Sequence, residues 1–167
     1  DTNNEDNEDG MSGNLSSFAV DAAGNLYVSD YNNIYVLDAE GSVQFKLDGS
    51  QYNGSLSRLN AQQVGVMWYN YTDDVNAADE NGQYFVPIDL ETKDWGEKVK
   101  LPSNVWNIYP GDDAYDFYFN SNNNIFGYSS KTDTRDKLVD WLACDVDTNN
   151  MSGYAMLSDS RVAALMQ

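Results

Sequence analysis

Histidine is absent from this chain of 167 residues, and it has only one cysteine, Cys144. Without an imidazole the chain cannot by itself run Ser-His-Asp or Cys-His catalysis, and it offers no imidazole ligand to a metal. A lone thiol likewise excludes an internal disulfide and a thiolate zinc site. Cys144 falls on an expected strand, with no histidine and no basic cluster beside it to lower its pKa. It is therefore expected to be a small buried hydrophobe and not a nucleophile.

Positive charge is scarce as well: 9 basic residues stand against 27 acidic ones, a net of −18. Such a field repels nucleic acid and anionic lipid. The cations, from Lys46 to Arg161, are spread among expected strand ends and turns and form no stripe that could track phosphates. A soluble acidic surface is the expectation. No apolar run is long enough to span a membrane, and no signal peptide is present. Because the chain starts at Asp1 without Met, a mature product or an excised fragment is expected. Asn14, Asn53, Asn70 and Asn150 fit Asn-x-Ser/Thr, but an Asn-rich and Ser-rich chain produces such matches by chance.

What is present points to β structure. Aromatics make up 13% of the chain, Tyr foremost, while helix-forming residues are not prominent. The clearest stretch runs from Phe18 to Leu47. Leu26 and Val28, Ile34 and Val36, and Val43, Phe45 and Leu47 alternate with period 2, as half-buried strands do. Between them lie two copies of one turn, Asp21-Ala22-Ala23-Gly24 and Asp38-Ala39-Glu40-Gly41, with Asp placed to bond the backbone and Gly fourth. Four short strands in succession make an antiparallel meander, the blade of a β-propeller.

Related units follow. Ser55–Leu59 and Gln63–Tyr71 form a second hairpin, Tyr84–Leu90 a third strand and Trp95–Leu101 an outer one. Residues 72–80 read as an acidic inserted loop. Pro87 cannot donate to a ladder, so a local irregularity is expected there. A third unit opens at Asn104 and closes with Lys137–Cys144. Leu138, Trp141 and Leu142 would also share a helical face, but repeat logic favours a strand. Gly153–Leu157, a Ser158–Ser160 turn and Arg161–Met166 give half of a fourth unit. The hairpins recur at about 40–50 residues, the blade period.

The expected architecture is thus all-β. Residues 1–14 form an acidic disordered linker. A partial propeller of about three and a half four-stranded antiparallel blades follows over 15–167, with blades at 15–50, 51–103 and 104–148 and a half blade at 149–167. Such an array leaves open faces and edges, so continuation past Gln167 or pairing with itself is expected.

The first unit resembles an NHL-type or WD40-like propeller repeat through Phe18-Ala19-Val20, Asp21–Asn25, Tyr27–Asp30 and Ile34–Asp38. The runs DLETKDWGEKVKLPSNVWNIYPG, YDFYFNSNNNIFGY and LVDWLACDVDTNNMSGYAMLSDSRVAAL are similar to the propeller-like segment ahead of the periplasmic-binding-type domain in some secreted bacterial solute-binding lipoproteins. That resemblance implies an accessory module of an exported, lipid-anchored cell-surface receptor whose solute-binding lobes are not in this chain.

Few constellations carry chemistry. Asp145–Asn150 begins like a calcium loop, but Asn150 replaces the glycine and Met156 the final carboxylate, so a solvated loop and no metal are expected. The pairs Asp73-Asp74, Asp79-Glu80 and Asp112-Asp113 read as loop acids facing water. Trp95 and Trp141 fall beside outer strands as packing elements, whereas Trp68 and Trp106 are the candidates for stacking on a ligand. Three readings follow. The first is a non-catalytic interaction or spacer module, without a cofactor, which meets the rest of a parent protein or itself; it expects buried Trp rings and no convergent pocket. The second is a carbohydrate-binding propeller with exposed aromatics in a row. The third is a metal-dependent lactonase-like enzyme with carboxylates meeting in one channel.

Overall fold

The computed structural model describes residues 15–30, 32–74, 80–122, 124–144, 151–156 and 162–166. Among these, every regular element is a β-strand except a 3-10 turn at Gly49–Gln51. The expected linker at 1–14, the calcium-like loop at 145–150, most of the acidic insertion (75–79) and the Ser158–Ser160 turn lie outside the described residues. The chain divides into two compact units, Asp1–Ser103 and Asn104–Gln167.

In the first unit, β1 (Ser17–Val20), β2 (Leu26–Ser29), β3 (Asn33–Leu37) and β4 (Val43–Asp48) pair in chain order as an antiparallel meander. The two Asp-x-x-Gly turns form as their residues require. The Asp21 carboxylate accepts the N–H groups of Ala23 and Asn25 at 2.9 Å, and that of Asp38 accepts those of Glu40 and Ser42 at 3.1 and 2.8 Å. Gly24 and Gly41 sit at φ +89° and +85°, where a Cβ is strained.

The second sheet contains β5 (Ser55–Arg58), β6 (Val64–Asn70) and β7 (Gly82–Asp89), with β8 (Asp94–Trp95) and β9 (Val99–Lys100) both paired to β7. The single outer strand expected over Trp95–Leu101 is therefore split. Pro87 is the cause. Its carbonyl faces the outer side and accepts the Gly96 N–H at 2.8 Å, but its ring nitrogen on that side donates nothing. The irregularity expected at Pro87 is thus carried by the facing strand, while the β6–β7 register runs unbroken through Gly65 opposite Pro87.

Period-2 alternation then decides the core. Tyr27, Ile34, Val36 and Leu47 from the first sheet pack against Leu56, Val64, Val66, Tyr84, Val86 and Ile88 from the second. Each fully buried aliphatic chain contributes about 1.5–3 kcal/mol relative to exposure. Two hydrogen bonds tie the sheets together at opposite ends of β1: Leu56 N–H to Ser17 Oγ at 3.1 Å, and Ala22 N–H to the Ala61 carbonyl at 2.9 Å.

In the second unit, β10 (Asn107–Pro110), β11 (Phe117–Ser121), β12 (Asn124–Ser129) and β13 (Thr134–Asp140) form another meander, and β14 (Met151–Met156) pairs with β15 (Val162–Met166) as a hairpin. Ile108, Phe119 and Phe126 are cross-strand neighbours, the two rings stacked at 5.3 Å. The segment with helical spacing does contain a strand, but one that starts at Thr134 and stops at Asp140. There the Asp140 carboxylate accepts the Ala143 N–H at 3.2 Å and pairs with Lys137 at 2.8 Å, turning the chain. Cys144 lies in that turn and is exposed, which corrects the expectation of a buried strand cysteine.

Three sheets of about four antiparallel strands, plus a hairpin, account for the described residues, and the chain is an all-β protein of repeat-like build.

Candidate functional site

The four tryptophans have different environments. Trp68, on β6, is half-buried at the edge of the first unit's core. Its ring meets Tyr52 edge-on at 5.1 Å and Tyr84 at 5.8 Å. Lys98 lies over both the Trp68 and Tyr84 rings, 5.9 and 5.0 Å from their centroids. Trp95 also meets Tyr52 edge-on, at 5.0 Å. Tyr52, which the sequence did not single out, thus contacts two tryptophans. Trp141 is buried, and Trp106 in the second unit is 70% exposed. Of the two candidate stacking residues, Trp106 presents an open ring, whereas Trp68 is largely spent on packing.

Three carboxylates among the described residues combine turn N–H groups with a tyrosine hydroxyl. Asp21 accepts from Ala23, from the backbone and side chain of Asn25, and from Tyr27 Oη at 3.2 Å. Asp30 repeats the device with Asn32, Asn33 and Tyr35 Oη. Asp112 does so with Ala114, Tyr115 and Tyr118 Oη. Spacings of five or six residues from Asp to Tyr were the available signal, since that distance brings the end of a turn back to the following strand. The acid pair Asp112-Asp113 accordingly has one member committed to a turn. Among the described residues, no group of three or more Asp, Glu, Cys or His side chains is placed to hold a metal ion.

These contacts set a pH dependence. Burial pushes the Asp21 carboxyl up, but the bonds from Asn25, Tyr27 and Ala23 outweigh it, and the group titrates below the ordinary carboxylate range. Asp116 is lowered by its bond to Ser130. A carboxyl lowered in the folded state contributes stability that is present above its unfolded pKa and lost as pH falls through the folded one. Acidification from neutrality first relieves the self-repulsion of the −18 charge as ordinary carboxyls protonate. Thermal melting followed by circular dichroism is therefore expected to peak near about pH 4–5 and to drop steeply at lower pH. A melting temperature that falls steadily from neutrality would contradict this.

The most distinctive surface belongs to the first sheet. Opposite the core-facing set, Phe18, Val20 and Val43 are 74%, 42% and 47% exposed around a buried patch of Val28, Tyr35 and Leu37. In β1 the small residues Ser17 and Ala19 face the second sheet while the large ones face away. That size alternation is the signal for this face in the sequence. A separate open cleft of about 640 Å³ lies along the split outer strand, lined by Gln63, Pro87, Ile88, Asp89 and Gly96 to Val99. Asp89 in it is already bonded to the N–H groups of Glu91 and Thr92.

Fold and site together define an all-β module of successive antiparallel meanders with an apolar outer sheet face. No protein-family model matches the chain, and no curated protein matches it.

Proposed function

We propose that this chain is a non-catalytic interaction and spacer module, built of propeller-type blades, and that the exposed apolar rim of its first sheet, Phe18, Val20 and Val43, is where it meets its neighbour. The observation that carries this is the two-sided apolar character of that sheet. One face is packed by the five-stranded second sheet, and on the other Phe18, Val20 and Val43 are exposed around the buried Val28, Tyr35 and Leu37. The occupant that fits is another sheet of the same kind, because alternating side chains of one meander already interleave with those of another on the opposite face. The resemblance to segments of bacterial solute-binding lipoproteins favours an exported, surface-anchored parent carrying that further blade.

A second copy of the chain is the accessible stand-in for it. Sedimentation is expected to show mass rising with concentration, more so at high salt, which screens the −18 charge. The double variant Phe18→Asp/Val43→Asp should stay monomeric with an unchanged circular dichroism spectrum. A wild-type chain that is monomeric at every concentration and salt level would remove the proposal.

Trp106 carries a second reading, glycan stacking, because its ring is exposed. Glycan-array binding abolished by Trp106→Ala supports it, and an array without signal removes it.

A further inference from the structure

We infer that the Asn53–Gly54 peptide is a self-modification site, at which the native protein converts asparagine to aspartate and isoaspartate, while the fold shields its other Asn-Gly pair, Asn81–Gly82. Asn followed by Gly is the pair in which the next backbone nitrogen can reach the side-chain amide, because glycine has no Cβ in the way. The chemistry needs only water. The Gly54 nitrogen bonds to Asn53 Cγ, the side-chain nitrogen leaves as ammonia, and a five-membered imide results. Water then opens the imide at either carbonyl, giving the aspartyl or the isoaspartyl peptide, with no oxidation or reduction.

The structure separates the two sites. Asn53 is exposed, its side chain has no hydrogen-bond partner among the described residues, and Gly54 precedes β5 and lies outside any strand. Both residues border an open cleft of about 230 Å³ that also bears Ser16, Ser17, Ser29 and Ser55, so water has access. Asn81, in contrast, is clamped at both ends: Oδ1 accepts the Thr72 N–H at 2.7 Å, and Nδ2 donates to the Thr72 carbonyl at 3.1 Å. Gly82 is already in the β6–β7 ladder opposite Asn70. The side-chain amide at Asn81 cannot turn toward Gly82 without breaking both bonds.

The location gives the reaction a consequence. An isoaspartyl link inserts a carbon into the main chain immediately after Tyr52, the ring that contacts both Trp68 and Trp95. It also comes just before Gly54, which runs close against β6, a Cβ there lying only 2.0 Å from the Met67 carbonyl oxygen, so that a lengthened main chain presses on that strand. Ageing at Asn53 therefore loosens the segment that joins the first sheet to the second.

The test is prolonged incubation of the folded chain in mildly alkaline buffer, with peptide mapping by mass spectrometry, isoaspartyl methyltransferase labelling and near-ultraviolet circular dichroism. The expected result is an amide-to-acid mass gain at Asn53, none at Asn81, and a drifting tryptophan signal. Equal gain at both sites, or gain at Asn81 alone, or none at either, overturns the inference. In denaturant the two sites should react at comparable rates; a difference that persists there overturns the structural explanation. Asn53→Gln should abolish the labelling and the spectral drift, and a drift that survives in this variant overturns the proposed consequence.

Discussion

Gly65→Ala is expected to destabilise the first unit by about 3 kcal/mol or more, since overpacking against rigid backbone exceeds the usual cost of an added methylene. A Cβ at Gly65 would fall 2.1 Å from the Val86 carbonyl oxygen and 2.7 Å from Pro87 Cα, distances that only movement of β6 away from β7 could relieve. Those two strands carry Val64, Val66, Tyr84, Val86 and Ile88 into the core, so the movement spreads. Gly41 is the control. It has φ +85° but nothing within 4 Å of where a Cβ would stand, and Gly41→Ala should cost only about 1 kcal/mol of backbone strain. Urea unfolding followed by tryptophan fluorescence measures both. Equal losses for the two variants would mean that β6 and β7 approach less closely than these distances require.

Asp21→Ala should cost about 3 kcal/mol, because it strands the buried Tyr27 hydroxyl and frees the turn N–H groups of Ala23 and Asn25 at once. Asp21 itself is only 6% exposed, so little water can replace the carboxylate. Asp21→Asn keeps an acceptor and removes the charge; its loss should be about 1 kcal/mol. Thermal unfolding distinguishes the two. A loss with Asn equal to that with Ala would show that the charge, and not the acceptor, holds the turn. The same pair of substitutions at the more exposed Asp38, whose carboxylate bonds turn N–H groups and Gln44 in place of a tyrosine, should give smaller differences.

The all-β character and the first meander were legible because their signals are local. Period-2 alternation at Leu26 to Leu47 and the Asp-x-x-Gly turns act within a few residues, and they fix strand, turn and register together. The split of the outer strand into β8 and β9 was only half legible. Pro87 announced an irregularity, but which strand would absorb it depends on which side of β7 the ring nitrogen faces. Lys137 to Cys144 reads as a strand, and a strand is there, but it runs from Thr134 to Asp140: the helical spacing of Leu138, Trp141 and Leu142 reflects a strand running into a turn at Asp140.

The candidate surface is legible only in the contrast of large Phe18 and Val20 with small Ser17 and Ala19, which has no meaning until the sheet facing the small side is known. Tyr52 lay beyond reach, since it acts through Trp68 and Trp95, which the fold brings to it from elsewhere in the chain.

The broken outer strand of the second sheet bears on how the molecule can grow. An added strand laid along β7 would need an uninterrupted row of donors and acceptors, and β8 and β9 are each two residues long with Pro87 opposite the gap between them. Lateral extension of that sheet into a fibril is thereby blocked at its rim. For this second sheet, growth across that edge is closed, and further contacts are expected through its faces and not through an added strand there.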